Sequence, residues 1–305
     1  MEHDTAGDPI NGLKWTRKTT QKIADELKQF GNSVCANTVG RLLKKMKFSL
    51  KVNHKKNESN RNVDPVERDK QFKHICQLRK KFAKNGFPII SVDAKKKELI
   101  GDFKNNGKAY CRCPENVNVY DFPSDAVGKG VPYGIYDTTA NKGFVIVGTN
   151  HDTPSFAVDS IEAWWKTVGK FKYSDTPEIL ILADGGGSNS SRSRVWKYEL
   201  HEKICSKYKL KITVCHYPPG CSKWNPIEHR LFSAISENWS GIPLRSYETM
   251  LNYISTTKNK KGLRVRAKLV SKLYEKGKRI TDDQMKSLPI SCHSIFPKWN
   301  YTFSL

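Results

Sequence analysis

The chain has 305 residues, of which 37% are hydrophobic and 27% charged, and its 53 lysines and arginines against 30 acids give a formal net charge of +23. This length allows a full hydrophobic core in one large domain, or in one large and one small domain. No apolar stretch approaches the roughly 20 residues of a membrane helix, and the N-terminus has neither a basic nor an apolar signal region. We therefore expect a cytoplasmic protein with no membrane partner. The positive charge favours nucleic acid as the polyanionic partner, because no amphipathic basic helix with a broad aromatic face is evident.

The first 60 residues predict a helix, a glycine turn and a second helix. Each helix has one apolar face, with Ile23, Ala24, Leu27 and Phe30 in the first and Val39, Leu42, Leu43 and Met46 in the second. In a helix-turn-helix unit the second helix enters the major groove of DNA. The residues that would then face DNA are Asn37, Thr38, Arg41, Lys44 and Lys45. A plain helical hairpin with a solvated basic face is an equal alternative, and the polar segment 51–65 predicts a linker.

From about residue 66 the pattern changes to that of an α/β domain. Residues 66–84 predict an amphipathic helix, and four later runs predict consecutive antiparallel strands: PIISVDA, KELIGDF, YGIYDTT and GFVIVG. Helices and strands then alternate as SFAVDSIEAWWKTVGKF, EILILAD, SRSRVWKYELHEKICSKY, LKITVCHY and PIEHRLFSAISENW. This order predicts a mixed sheet covered by helices.

Three acids stand at the ends of predicted elements. Asp93 ends the apolar run PIISVD and Asp184 ends EILILAD, so we expect both at the ends of buried strands that are neighbours in one sheet. Glu228 falls in the first turn of a helix for which Asn225 is a good N-cap and Pro226 a suitable first residue. Taken singly, each acid has an ordinary interpretation, as a solvated strand end or as a capping-box glutamate.

The glycine-rich loop after Asp184 bears on this choice. Its sequence, GGGSNSSRSR, has neither the GK[ST] ending of a phosphate loop nor a GxGxxG match. A simpler use of Gly185, Gly186 and Gly187 is to let a substrate or a metal approach Asp184 without obstruction by a Cβ atom.

The three acids together predict more than each one alone. Carboxylate oxygens that converge from such ends suit two hard divalent cations. Two metals about 4 Å apart can activate an attacking oxygen and stabilise the leaving one in phosphodiester displacement. Mutual repulsion of the acids would be costly without those cations. A basic protein with an acidic site is therefore a candidate nuclease or strand-transferase.

These motifs resemble the insertion-sequence DDE transposases of the ISAzo group, which are distant relatives of the mariner transposases. The resemblance covers nearly the whole chain, from GDPINGLKWTRKTTQKIADEL through SVDAKKKELIGDFKNNG, VPYGIYDTTANKGFVIVGTNHDTPSFAVDSI and ADGGGSNSSRSRVWK to HYPPGCSKWNPIEHRLFSAISENW. The last stretch looks like the Asn-Pro-Ile-Glu signature that carries the final acid in mariner-like enzymes, and it is the most specific of the five.

The resemblance implies a fold and a function. The fold is α/β, with an RNase H-like mixed five-stranded sheet flanked by helices at 66–305, preceded by a small helix-turn-helix segment and basic linker at 1–60. Asp93, Asp184 and Glu228 would form the DDE triad and bind two Mg²⁺ or Mn²⁺ ions. Water would cleave DNA at the transposon ends, and the freed 3′-hydroxyl would attack target DNA. We expect a homo-oligomer on DNA, associated with the nucleoid, and an N-terminally truncated DNA-binding part, since family members carry more helical sequence before this start.

Some residues near the triad have two interpretations. Lys95, Lys96 and Lys97 follow Asp93 and would hold phosphates near the metals, or they form a solvated lysine run. His216 and His229 flank the Glu228 segment and would orient water or DNA, or satisfy local hydrogen bonds.

Two other functions also stay open at this stage. One is an RNase H-like nuclease without strand transfer. The other is a non-catalytic DNA-binding protein derived from a transposase, in which the acids are only structural. Cleavage without joining would favour the first, and metal-independent binding without strand breakage would favour the second.

Overall fold

The computed structural model describes residues 5–7, 14–16, 18–48, 50, 64–119, 121–221 and 224–305. The chain divides into two compact units, Met1–Lys56 and Asn57–Leu305. The predicted linker at 51–65 lies outside the described residues, except for Asp64 and Pro65, which begin the first helix of the second unit. Within the described ranges, the helices are all too short or too polar to cross a membrane.

The first unit contains a short antiparallel hairpin and two helices. The hairpin pairs β1 (Thr5–Gly7) with β2 (Lys14–Thr16), and the helices are α1 (Thr20–Gln29) and α2 (Ala36–Lys45). The side chain of Thr19 caps α1 by accepting a hydrogen bond from the backbone N–H of Lys22. The predicted succession of helix, turn and helix is therefore present.

The core of the first unit is smaller than the sequence predicts. It consists of Ile23, Ala24 and Val39, with Leu27, Val34 and Leu43 packed against it. Phe30 and Met46 were predicted to face inward, but they are 76% and 65% exposed because they are the C-cap residues that follow the last turns of α1 and α2. Leu42 is also 46% exposed, so the buried face of α2 is only Val39 and Leu43.

The second unit is a mixed α/β domain. Its helices are α3 (Pro65–Lys84), α4 (Pro154–Trp164), α5 (Lys170–Lys172), α6 (Arg194–Leu200), α7 (Ser233–Asn238), α8 (Tyr247–Thr256) and α9 (Asp282–Lys286). Its strands are β3 (Ile89–Ala94), β4 (Glu98–Ile100), β5 (Gly128–Asp137), β6 (Lys142–Gly148), β7 (Glu178–Ala183), β8 (Lys211–His216), β9 (Arg264–Val270), β10 (Ile290–Cys292) and β11 (Asn300–Phe303). Three π-helical segments adjoin these helices, at Trp165–Gly169, His201–Ser206 and Glu228–Phe232.

The strands form one mixed sheet in the order β10-β11-β8-β7-β3-β5-β6-β9, with β4 paired to β5. Strand β3 is parallel to β7 and antiparallel to β5, and β7 is parallel to β8. The mixed sheet flanked by helices that the sequence predicts is confirmed, but the count of five strands is wrong, because the described part of the sheet has nine. The five central strands are extended by β9 at one edge and by β11 and β10 at the other, and all three come from the segment after residue 263, for which no strand was predicted.

Helices cover both faces of the sheet, as expected from the buried, mainly apolar central strands β3, β7 and β8. Alternate residues of β3 point to opposite faces. Ile90 and Val92 enter the core shared with α4 and α6, whereas Ile89 enters the core beneath α3. Another core, beneath α8 and the Glu228–Phe232 segment, packs on β5 and β6. The carboxyl ends of β3 and β7 are thus held between well-packed layers.

Candidate active site

Asp93 and Asp184 stand side by side at the carboxyl ends of two neighbouring strands. Strands β3 and β7 are parallel, and Val92 lies opposite Ala183. Asp93 follows Val92 and Asp184 follows Ala183, so the two acids occupy equivalent positions on strands about 4.8 Å apart. The two strands that end in Asp93 and Asp184 are therefore neighbours in the sheet, as predicted.

A buried turn holds Glu228 over the same strand. The Ser91 hydroxyl donates to Oδ1 of Asn225 and accepts a hydrogen bond of 3.1 Å from the backbone N–H of Ile227. Ser91 and Asp93 lie on the same face of β3, since they are two residues apart. Glu228 directly follows Ile227 and begins a π-helical segment, a local geometry that is frequent at functional sites.

Asn225 acts differently from the N-cap that the sequence predicts. Its backbone carbonyl accepts a hydrogen bond from the N–H of Glu228, and the helix begins at Pro226 as expected. Its side chain, however, is directed to β3, where it bonds Ser91 and the backbone carbonyl of Val92. The side chain therefore fixes the helix to the strand and does not cap the helix itself.

The three acids act on one another electrostatically, and the pKa of each is raised. Burial, the charge of Asp184, and then Glu228 and Asp152 raise the pKa of Asp93 to about 8. Burial also raises the pKa of Asp184, and the charge of Asp152 raises it further. Burial raises the pKa of Glu228 as well, and the charge of Lys95 offsets part of this increase. Nearby like charges and poor solvation both favour the protonated form of a carboxyl group. The ionised carboxylates therefore repel one another, and a bound cation would reduce this repulsion.

Asn189 is a residue of this site that the sequence did not identify. It is 1% exposed, and its Nδ2 donates a long hydrogen bond of 3.5 Å to Oδ1 of Asp93. A hydrogen bond from the same side chain lowers the pKa of Asp184. The hydroxyl of Tyr133 in turn donates to Oδ1 of Asn189 at 2.7 Å. Asn189 thus bridges the two aspartates, and its place in a polar loop of serines and glycines gave no signal of this.

His216 has a structural role. It is fully buried, and its Nδ1 is 2.9 Å from the backbone oxygen of Asp184 while its Nε2 is 3.0 Å from the hydroxyl of Tyr301. Burial lowers the pKa of His216 to about 4. It therefore binds the backbone at the end of β7 from within the core, whereas His229 is exposed beside Glu228.

The residues at the site fit a hard divalent cation by their chemistry. Oδ1 of Asp184 is buried and has no hydrogen-bond partner. A bound cation would supply the partner that this oxygen lacks. The acidic ligands supply only oxygen, as Mg²⁺ and Mn²⁺ prefer. No group of three His, Cys, Asp or Glu side chains within the described ranges is close enough to hold one ion by itself. Each ion would thus be held by one or two carboxylates together with water or phosphate, as is usual for Mg²⁺.

The three lysines after Asp93 have different surroundings. Nζ of Lys95 is 3.2 Å from Oε1 of Glu98 and 4.6 Å from the ring centre of Trp239, and the side chain is only 10% exposed. It is held inward and is poorly placed to contact a phosphate. Lys96 and Lys97 are exposed at the edge of the site, and the charge of Lys97 lowers the pKa of Asp152.

The candidate DNA-facing residues of the first unit all lie on α2. Asn37, Arg41, Lys44 and Lys45 are exposed, and Thr38 is half-buried. Thr38 Oγ1 lies 3.3 Å from Sγ of Cys35 and 3.5 Å from Nη2 of Arg41. The basic face of α2 is solvent-accessible, and its contact with DNA stays a prediction.

Comparisons with known proteins point to one family. A family model described as the Rhodopirellula transposase DDE domain matches residues 1–304. A search of curated proteins finds no match. Three similar solved structures are a Mos1 transposase paired-end complex with the left transposon end (12% identity, TM-score 0.45, 78% of this chain and 65% of that chain), the Mos1 mariner paired-end complex with Mn (13%, 0.44, 78% and 65%) and the Mos1 strand transfer complex (15%, 0.45, 78% and 64%). The match spans less than two thirds of these Mos1 chains.

Proposed function

The chain belongs to the transposase family whose DDE-domain model spans residues 1–304, and on this premise we propose that it is a DNA transposase. It cuts DNA at transposon ends and transfers the freed 3′-hydroxyl to target DNA. The observation that supports the proposal is that Asp93 and Asp184 follow paired residues of two adjacent parallel strands, and that the turn before Glu228 is hydrogen-bonded to Ser91 of the same strand.

The three acids are the catalytic residues in this proposal, and they hold Mg²⁺ or Mn²⁺. Two such ions, when bound, supply the positive charge that activates an attacking oxygen and stabilises the leaving one. The protein supplies rigid placement of the ligands. Asn189 fixes the orientation of Asp93 and Asp184, and the Ser91–Asn225 pair fixes the approach of Glu228.

DNA binding in the proposal comes from the excess of positive charge. A net charge of +23 favours phosphate contacts, which release condensed counterions. The exposed face of α2 would contact the transposon ends, and Lys96 and Lys97 would contact phosphates beside the acids. We further propose that the protein works as a homo-oligomer on DNA, because two transposon ends must be brought together for transfer.

The test is a cleavage and joining assay on DNA that bears the transposon ends, with Mg²⁺, using the wild type and the variants Asp93→Asn, Asp184→Asn and Glu228→Gln. Each change keeps the shape of the side chain and removes one anionic ligand. We expect each variant to lose cutting and joining while its salt-sensitive DNA binding stays close to that of the wild type, because a metal ligand and not a phosphate contact is lost.

The matched control is Asp175→Asn, which makes the same chemical change at an exposed position between α5 and β7. It should cut and join like the wild type. Equal cutting by the wild type and all three site variants would refute the catalytic assignment. Cutting without any joined product would instead favour a nuclease, and metal-independent binding without strand breakage would favour a non-catalytic DNA-binding protein.

A further inference from the structure

Four buried oxygens near the acids lack any hydrogen-bond donor. Among all the residues that the structure describes, the buried side-chain nitrogen and oxygen atoms without a partner are Asn150 Oδ1, Asp152 Oδ1, Asp184 Oδ1 and Ser188 Oγ. Native proteins pair nearly all such atoms, so each exception calls for an explanation. All four are oxygens, and they come from only two loops, one after β6 and one after β7. A bound cation would satisfy such a set of oxygens.

The two loops meet at the glycines that follow Asp184. A Cβ atom on Gly186 would lie 3.6 Å from Oδ2 of Asp184, and one on Gly187 would lie 4.0 Å from Oδ2 of Asp152. Gly187 has φ +56, a conformation that favours glycine. The glycine loop therefore lies close to both carboxylates, to Asp184 at Gly186 and to Asp152 at Gly187.

Ser188 provides an independent sign that something binds between the loops. Its side chain is part of a residue that is only 4% exposed, yet its hydroxyl oxygen has no partner. The hydroxyl lies near Asp152 and lowers the pKa of that carboxyl, which burial raises. The hydroxyl of Ser188 and the carboxylate of Asp152 therefore bring oxygen atoms close together, and hard cations take oxygen ligands.

The ordinary interpretation of Asp152 is an acid that precedes a helix and stabilises its N-terminus. Thr153 already performs that function for α4, because its hydroxyl accepts the backbone N–H of Phe156 at 3.2 Å and its carbonyl accepts that of Ala157 at 3.0 Å. An acid that only favoured the helix dipole could keep both oxygens in solvent. Oδ1 of Asp152 is instead buried and has no hydrogen-bond partner.

We propose that Asp152 is a fourth acidic residue of the site and that, with Ser188 and Asn150, it extends the carboxylate cluster beyond Asp184 as an oxygen-lined position for a hard divalent cation. This inference rests on the proposed function and adds a ligand group to it. Gly186 lies near Asp184 and Gly187 lies near Asp152, so the proposed position adjoins the site of Asp93 and Asp184. The charge of Asp152 acts on both of those acids.

The first measurement is calorimetric titration of the full chain with Mn²⁺ alone, without DNA. Asp152→Asn should weaken the binding of Mn²⁺ by about 10-fold or more, the scale on which loss of a supporting group changes metal affinity, and Ser188→Ala should weaken it less. Asp175→Asn is the control and should bind like the wild type. Titration curves of Asp152→Asn that overlay those of the wild type would overturn the inference.

The second measurement is thermal denaturation in EDTA and in Mn²⁺. If Asp152 is a ligand, Asp152→Asn removes a buried like charge, so its melting temperature in EDTA should equal or exceed that of the wild type, and Mn²⁺ should raise it by less. If Asp152 only stabilises the start of α4, the melting temperature in EDTA falls and the Mn²⁺ shift is unchanged, which overturns the inference. Should Asp152→Asn fail to fold, Ser188→Ala is judged by the same two criteria.

The same titrations separate this inference from the proposed function. Loss of Mn²⁺ binding in Asp93→Asn and Glu228→Gln, with normal binding in Asp152→Asn, would reject only the fourth acid. Normal binding in all of these variants would reject the proposed metal site as a whole.

Discussion

The attachment of Glu228 to the sheet depends on one buried serine. The Ser91 hydroxyl donates to Oδ1 of Asn225 and accepts the backbone N–H of Ile227. Ser91, Asn225 and Ile227 are each 0% exposed. The N–H of Ile227 lies in the first turn of its helix, where backbone donors have no partner within the helix. Ser91→Ala would therefore leave one buried acceptor and one buried donor without partners.

The size of the effect follows from these two groups. A buried donor or acceptor left without a partner destabilises the folded state by about 1–3 kcal/mol, so the pair gives a loss of about 2–6 kcal/mol in the free energy of unfolding. For a domain of this size the melting temperature should fall by about 4–24 °C. Because Glu228 directly follows Ile227, its position over Asp93 should also become less defined.

The assay measures thermal denaturation and Mn²⁺ affinity of Ser91→Ala beside Ser160→Ala. Ser160 is a matched control, since it is 1% exposed and its hydroxyl donates at 2.7 Å only to the carbonyl of Phe156 in its own helix. Ser160→Ala should lose less than about 1 kcal/mol and bind Mn²⁺ normally. If the two variants have the same melting temperature and the same affinity for Mn²⁺, other contacts hold the helix of Glu228 and the prediction is wrong.

Three further outcomes are expected. Gly134→Ala should lose about 1–3 kcal/mol of stability in urea, because its Cβ would lie 2.6 Å from the ring of Phe232, whereas Gly40→Ala, with 4.0 Å to its nearest atom, should not. Ring nitrogens of His74 and His293 lie 3.0 Å apart, and burial lowers the pKa of both below the usual 6.5. As the pH drops below about 6.5, the unfolded chain binds protons before the folded one does, so the free energy of unfolding should fall. It should fall less in His74→Gln, and equal pH profiles of the two proteins would contradict this. Affinity for duplex DNA should fall linearly with salt on logarithmic axes, and a flat profile would exclude phosphate-driven binding.

The principal arrangement of the site could be predicted from the sequence because it depends on strands. Apolar runs that end in an acid identify strand ends, and parallel neighbours place those ends at one edge of a sheet. Asp93 and Asp184 followed from this logic, and the structure places them together. The start of the Glu228 helix could be predicted from the Asn-Pro pair, although the direction of the Asn225 side chain could not.

The remaining features depend on tertiary contacts that leave no periodic signal. Asp152 lies in a loop, and its sequence context is that of an ordinary helix start. Asn189 lies among serines and glycines that read as a flexible turn. Lys95 belongs to a run of lysines that looks solvated, but its contact with Glu98 and Trp239 holds it inward. The edge strand β9 alternates cations with apolar residues over only seven positions, too short a run to distinguish a strand from a basic loop.

Other acids of the domain are paired with lysines, and this contrast gives the strongest reason to expect cations at the site. Asp159 pairs with Lys203 and Lys272, Glu199 pairs with Lys203, and hydrogen bonds from these lysines contribute to lowering the pKa of both acids.

The acids of the site lack such partners. Among the described residues, the ion pairs involve none of the four acids Asp93, Asp152, Asp184 and Glu228, and the pKa of each is raised. With 53 lysines and arginines against 30 acids, the chain does not lack cations with which to neutralise them. A lysine in the cluster would compete with any divalent ion for the same oxygens. The lack of direct ion pairs to these four acids therefore keeps their oxygens available for a cation from solution, while the positive charge on the rest of the surface attracts the phosphates on which that cation would act.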